Sequence, residues 1–207
     1  MRDEDTPEGI VQVIYRELKP GDFRKAAAES NDSPTGGGAR DLRFAGYEAV
    51  KDVFRSFLPG RKTEKRKRGG KTVDLEILTG VAYWIEPAGQ GDTRTDAERT
   101  RSFGVEFEEP TTARPTEGRL TRIYEYPFFE DADARSMERS YLMITKSESG
   151  KVYFHIVPEH FLRQPDPDGL YPFNRTMLAC IDARRRSGVA VIGHYNFVTS
   201  EGYCNGS

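Results

Sequence analysis

Apolar and polar side chains alternate with a period of two over much of this chain, and that rhythm predicts strands. Residues 10–18 (IVQVIYREL) read as a strand ended by the turn Lys19-Pro20-Gly21-Asp22, and residues 40–44 (RDLRF) as a strand edge carrying Arg40 and Arg43. Residues 72–86 hold Val73, Leu75, Ile77, Val81, Tyr83 and the only tryptophan, Trp84, in a strand-like run that Pro87 stops. Shorter runs follow at 103–107 and 120–126. Residues 141–145 and 152–157 flank Glu148-Ser149-Gly150 as a hairpin, and 189–198 supply a last strand.

Helical spacing occurs twice. Val50, Val53, Phe54 and Phe57 share one face of residues 47–57, which Pro59-Gly60 ends. Asn174 is placed to cap Arg175 to Arg186, whose final Arg184-Arg185-Arg186 complements the helix dipole before Gly188. The stretch DFRKAAAES suits a helix by its alanines, yet it is short and runs into the loop NDSPTGGG, so helix and strand both stay open there. Residues 130–138 read as an exposed acidic loop or short helix. Seven or eight short strands and two helices without βα alternation predict a mainly β (α+β) barrel or sandwich.

A length of 207 residues suits one core. One domain is expected over 1–207, with an acidic tail at 1–8, a β core at 9–158 and a helix-strand extension at 159–207. No apolar run approaches the roughly 20 residues of a membrane span, and MRDEDTPEG lacks the basic-then-apolar order of a secretory signal. A cytoplasmic protein without membrane contact is therefore expected, with Cys180 and Cys204 as reduced, structural thiols. Lys and Arg number 31 against 33 Asp and Glu, so a polyanion could be bound only through a local basic patch.

Two stretches offer such a patch. Residues 61–71 (RKTEKRKRGGK) hold seven basic residues and one acid, which reads as a solvated loop whose Lys65, Arg66, Lys67 and Arg68 suit phosphate contact without sequence information. Residues 111–122 (TTARPTEGRLTR) place Arg114 and Arg119 where each guanidinium matches a guanine edge, and Glu117 where it accepts from a cytosine amino group, around a turn made by Pro115 and Gly118. The bland reading of the same arm is a set of exposed salt bridges worth about 0 to 1 kcal/mol.

Catalytic patterns are incomplete. Gly70-Lys71-Thr72 ends like a phosphate-binding loop, but Lys65 stands where its first glycine belongs and a strand follows instead of a helix. Gly36-Gly37-Gly38 likewise lacks the strand-loop-helix context of a dinucleotide site. Asp74 and Glu76 share a strand face as the carboxylates of metal-dependent nucleases do, but Leu78 occupies the place of the usual lysine. His155, His160 and His194 lack zinc-ligand spacing. No cofactor, metal or catalytic set is expected, so the chain reads as a non-enzyme; a small nuclease using Asp74 and Glu76 and a protein-interaction adaptor are the alternatives.

Asn31-Asp32 followed by Thr35-Gly36-Gly37, then Phe57-Leu58-Pro59, Leu78-Thr79-Gly80, Arg114, Glu117 and Arg119-Leu120-Thr121-Arg122 fall in a telling order, with the strand at 152–157 after them. In this order the chain resembles, over roughly Phe23 to Val157, the N-terminal effector-binding domain of EcoRII-type restriction endonucleases, a DNA-binding pseudobarrel. The resemblance implies a pseudobarrel of about seven strands with flanking helices, followed here by the helix-strand addition. It also implies two arms that grip the major groove of double-stranded DNA: Gly38 to Phe44 with Arg40 and Arg43, and Thr112 to Arg122 with Arg114, Glu117 and Arg119 reading bases and Arg122 in support. In the family the nuclease is a separate C-terminal domain that the residues after Pro158 are too few to form, so a restriction or defence module served by a separate nuclease subunit is implied. Gly118 replaces a lysine expected beside the glutamate, an extra residue separates Arg114 from Glu117, and the residues after Gly36-Gly37 differ, so no target sequence carries over.

Overall fold

Ten strands join one curled, open half-barrel sheet in the computed structural model, which describes residues 9–27, 41–68, 70–112, 114–129, 139–163, 175–187 and 191–205. They are β1 (Ile10–Leu18), β2 (Leu42–Ala45), β3 (Gly60–Arg68), β4 (Lys71–Ile85), β5 (Thr100–Glu108), β6 (Glu117–Leu120), β7 (Ser140–Ser147), β8 (Val152–Pro158), β9 (Ile192–Asn196) and β10 (Glu201–Cys204). The spatial order is β10-β9-β1-β7-β8-β4-β5-β6-β2, with β3 paired to β4. Neighbours run antiparallel except β4 and β8, which meet in parallel at Tyr83 and Tyr153. Four helices accompany them among the described residues: α1 (Pro20–Ala27), α2 (Lys51–Phe57), α3 (Asp96–Arg99) and α4 (Arg175–Ser187).

The period-two pattern sends alternate residues to two cores. Ile14, Phe44, Phe54, Phe107, Leu120 and Phe154 belong to the larger one, inside the curl of the sheet. Val13, Tyr15, Met143 and Val157 point the other way and pack with Met177, Cys180 and Ile181 of α4. The sheet is therefore covered on both faces at β1 and β7, which is why nearly every residue of β7 is buried.

The open segment at 22–30 begins as helix: Pro20 starts α1, Asp22 lies in its first turn, and Asp22 Oδ2 accepts from the Lys19 backbone N–H at 3.0 Å. The amphipathic stretch 47–57 buries Val50, Val53, Phe54 and Phe57 as its spacing predicts, but as a 3-10 turn at Tyr47–Ala49 joined to α2. The expected strand at 120–126 stops at Leu120 instead. Arg122 takes φ 58°, and the chain turns so that Ile123, Tyr126, Phe128 and Phe129 are buried in the larger core. A local alternation there loses to the gain from burying four large side chains, each worth about 1.5 to 3 kcal/mol.

Three further expectations change. The basic run at 61–71 is not a loop: residues 60–68 form β3, in register with β4 from Gly60↔Thr79 to Arg68↔Lys71. A tenth strand, β10, follows β9 and forms one edge of the sheet. Cys180 and Cys204 form a disulfide, because α4 and β10 bring their Cα atoms to 5.9 Å across the second core. The calls at Asn174, Gly188, Arg40 and residues 130–138 lie outside the described residues. Among the described residues no helix is long and apolar enough to cross a membrane.

His155 of β8 sits opposite Met143 and beside the Tyr153 ring, and burial pushes its pKa down to about 4. An ordinary unfolded-state histidine titrates near 6.5, so the unfolded chain binds more protons between pH 6.5 and 4. Stability from this group is fully present above pH 6.5 and is lost as pH falls through 4. Urea unfolding is expected to show about 1 to 3 kcal/mol of loss over that window that disappears in His155→Gln; an unchanged pH slope in the variant would refute it.

Candidate nucleic-acid interface

The β5–β6 connection, residues 109–116, is fastened at both ends. At its start the Glu109 N–H donates to Glu76 O at 2.9 Å, while the Glu109 carboxylate accepts from Tyr47 Oη at 2.7 Å and Arg55 Nε at 2.8 Å. Burial pushes the Glu109 carboxyl upward, but those two hydrogen bonds outweigh it and leave the group below the usual carboxylate range. At its end Thr116 O accepts from Gly46 N at 2.9 Å and Tyr47 N at 3.2 Å. Between them the Arg114 N–H closes a turn onto Thr111 O at 2.8 Å. The loop thus holds a defined shape that leaves Thr112, Arg114, Pro115 and Thr116 exposed.

β6 carries the arm's second half into the sheet. Gly118 faces inward, where an added Cβ would fall 2.5 Å from the Phe107 ring and 2.9 Å from Tyr47. The lysine that the resemblance places there has no room. Glu117 and Arg119 point the other way, and pairing with β2 sets Arg119 opposite Arg43 and Glu117 opposite Ala45. Arg43, Arg114, Glu117 and Arg119 therefore meet on the outer face of the β2–β6 pair.

Within this cluster Arg119 is the buried member, its side chain only 4% exposed. It donates twice to Glu117 Oε1, from Nε at 3.1 Å and Nη2 at 2.9 Å, and its Nη1 lies 3.5 Å from Asp41 Oδ2. This corrects its expected role: a guanidinium enclosed by two carboxylates does not offer its fork to a base edge. Arg43 and Arg114 remain 47% and 45% exposed, each 3.7 Å from the Glu117 carboxylate. Three guanidinium groups against Asp41 and Glu117 leave the cluster one positive charge in excess. Glu117 Oε1 accepts from Arg119, and the same carboxylate lies between the two exposed arginines.

The other expected residues divide. Arg122 is exposed in its left-handed turn and pairs with Glu125 at 3.2 Å. Lys65 and Lys67 are exposed on β3, whereas Arg66, its side chain 36% exposed, is ion-paired with Glu64 at 2.8 Å and Glu108 at 2.7 Å. Arg68 lies in β3, and its side chain is outside the described set. Asp74 and Glu76 do share an exposed face of β4, opposite Lys65 and Thr63, and Thr63 Oγ1 donates to Glu76 at 2.9 Å.

Arg16 is the residue that pattern reading passed over. It stands between Ile14 and Leu18 at an inward position of β1, buried, with Nε donating to the Arg43 carbonyl at 2.7 Å and Nη1 to Asp22 Oδ2 at 3.0 Å. It ties β1 and α1 to the strand that carries Arg43. A charge at an apolar position of an alternating strand was the available signal, since such a charge needs a buried partner. No protein-family model matches this chain, and no curated protein matches it either.

Proposed function

We propose that this chain is a sequence-specific double-stranded DNA-binding domain, the recognition module of a restriction or defence system, built on the pseudobarrel plan of the EcoRII-type effector-binding domains and without catalysis of its own. The observation that carries the reading is the β2–β6 register, which gathers Arg43 and Arg114 as exposed guanidinium forks around Glu117 on a firmly held arm. Planar forks held in place suit bidentate reading of guanine, and prior fixation lowers the ordering cost of binding. The chain enters β2 at the Leu120 end and the arm enters β6 at the Glu117 end, roughly 10 Å apart along the strands, a span close to the width of a major groove. Arg122 and the β3 cations supply phosphate contact, and cleavage falls to a separate nuclease subunit.

Selection of bound duplexes from a random pool tests the reading: a recurring site is expected, and recovery of unselected sequence would sink it. On that site Arg114→Ala is expected to cost about 1 to 3 kcal/mol and to relax preference at one base pair. Equal loss on matched and scrambled duplexes would remove Arg114 from base reading. With magnesium or manganese present the purified chain is expected to leave supercoiled plasmid intact. Nicking that vanishes in an Asp74→Ala, Glu76→Ala double variant would promote the nuclease reading instead.

A further inference from the structure

We infer that the β3–β4 ribbon is a phosphate-tracking edge, separate from the arm, and that Arg61, Lys65 and Lys67 are its contacts while Lys62 and Arg66 are ion-paired struts; this rests on the duplex-binding reading above. Beyond Ile77↔Glu108, the last pair that joins β4 to β5, residues 63–68 and 71–76 pair, among the described residues, with each other, apart from the Glu109 N–H that donates to Glu76 O. This two-stranded extension is about 20 Å long at 3.4 Å per residue. Residues 61–76 contain seven Lys and Arg against three acids, an excess of four positive charges in a chain whose formal net charge is -2.

Strand alternation divides those cations. On one face Lys62 reaches Glu64 at 2.6 Å and Glu106 at 2.7 Å, and Arg66 reaches Glu64 and the buried Glu108. This ladder fastens the ribbon to β5 and uses up the charge of both cations. On the other face Arg61, Lys65 and Lys67 are exposed and, among the described residues, make no ion pair. Asp74 and Glu76 share that face on β4, so within this two-stranded extension the β3 side carries the cations and the β4 side the carboxylates, and among the described residues no strand pairs with the outer side of β3. Positive charge therefore lines the β3 edge. Residues two apart on a strand are about 6.8 Å apart, which is of the order of the distance between successive phosphates along one nucleic-acid strand, so Lys65 and Lys67 meet neighbouring phosphates and Arg61, four residues from Lys65, meets one two steps further along. The contacts carry no base information, because they end at the backbone.

The test is a salt titration of binding to a labelled duplex carrying the selected site and to a scrambled one, by fluorescence anisotropy. In the variant Arg61→Gln, Lys65→Gln, Lys67→Gln, the slope of log affinity against log salt is expected to flatten by about two to three units on both duplexes, with site preference unchanged. The single variants Lys65→Gln and Lys67→Gln are each expected to flatten it by about one unit, which keeps the test open if the triple variant folds poorly. The control removes three cations from around the opposite end of β4, Arg94→Gln, Arg101→Gln and Lys151→Gln, and is expected to leave the slope unchanged. A ribbon variant that matches wild type or the control overturns this inference and leaves the duplex-binding reading standing. Wild-type protein that binds neither duplex overturns that reading itself.

Discussion

Arg119→Ala is expected to destabilise the domain by about 3 to 5 kcal/mol, the range for removing one partner of a buried ion pair. The side chain is almost fully enclosed, and its loss leaves Glu117 and Asp41 facing each other without the guanidinium that joins them. Arg119→Lys keeps the charge but cannot donate in parallel from Nε and Nη2 to Glu117, so an intermediate loss is expected. Urea unfolding of the three proteins measures both. The effect on DNA should differ in kind from that of Arg114→Ala: the folded fraction of Arg119→Ala is expected to bind every duplex less well, because Arg43 and Arg114 lose the fixed carboxylate that orients them. A loss of stability below about 1 kcal/mol, the range of an exposed pair, would show that Arg119 is not buried in solution.

Arg16→Ala is expected to cost a similar 3 to 5 kcal/mol, from about the same cause at a different place. Its side chain and that of Asp22 are 9% and 6% exposed, so truncation strands a buried carboxylate and also leaves the Arg43 carbonyl without its donor. The partner variant Asp22→Ala should be comparably damaging. Because both changes break one contact, the double variant is expected to fall well short of the sum of the two singles, with a coupling of about 0.5 to 3 kcal/mol. Simple additivity in thermal or urea unfolding would mean that the two groups stabilise independently. Arg16 also faces the Phe44 ring at 5.5 Å, so Arg16→Met, which keeps apolar contact and removes charge, separates packing from ion pairing.

Much of the β architecture was legible from alternation alone. The runs at 10–18, 72–86, 141–145 and 152–157 became β1, β4, β7 and β8, and the Glu148-Ser149-Gly150 turn joins β7 to β8 with Gly150 at φ 84°. Each of these strands pays its folding cost through a face that its own residues define, so local sequence suffices. The same is true of the four apolar residues of 47–57, whose spacing matches one face of a helix. Arg114, Glu117 and Arg119 could also be picked out around Pro115 and Gly118, and the structure brings them together with Arg43.

What each charged side chain faces was decided only by the tertiary structure. Arg114 and Arg119 carry the same group a few residues apart, yet one is exposed and the other enclosed, because β2 delivers Asp41 and Arg43 to Arg119 from 78 and 76 positions away. Lys65 and Arg66 are neighbours in sequence, and only the position of β5, with Glu106 and Glu108 on it, decides which of them is free. Composition likewise suggested reduced cysteines, and the pairing of Cys180 with Cys204 follows from α4 packing beside β10. Alternation sets which side of its own strand a residue takes. Register between strands distant in sequence sets what lies across from it, and that depends on the burial gained by the whole sheet.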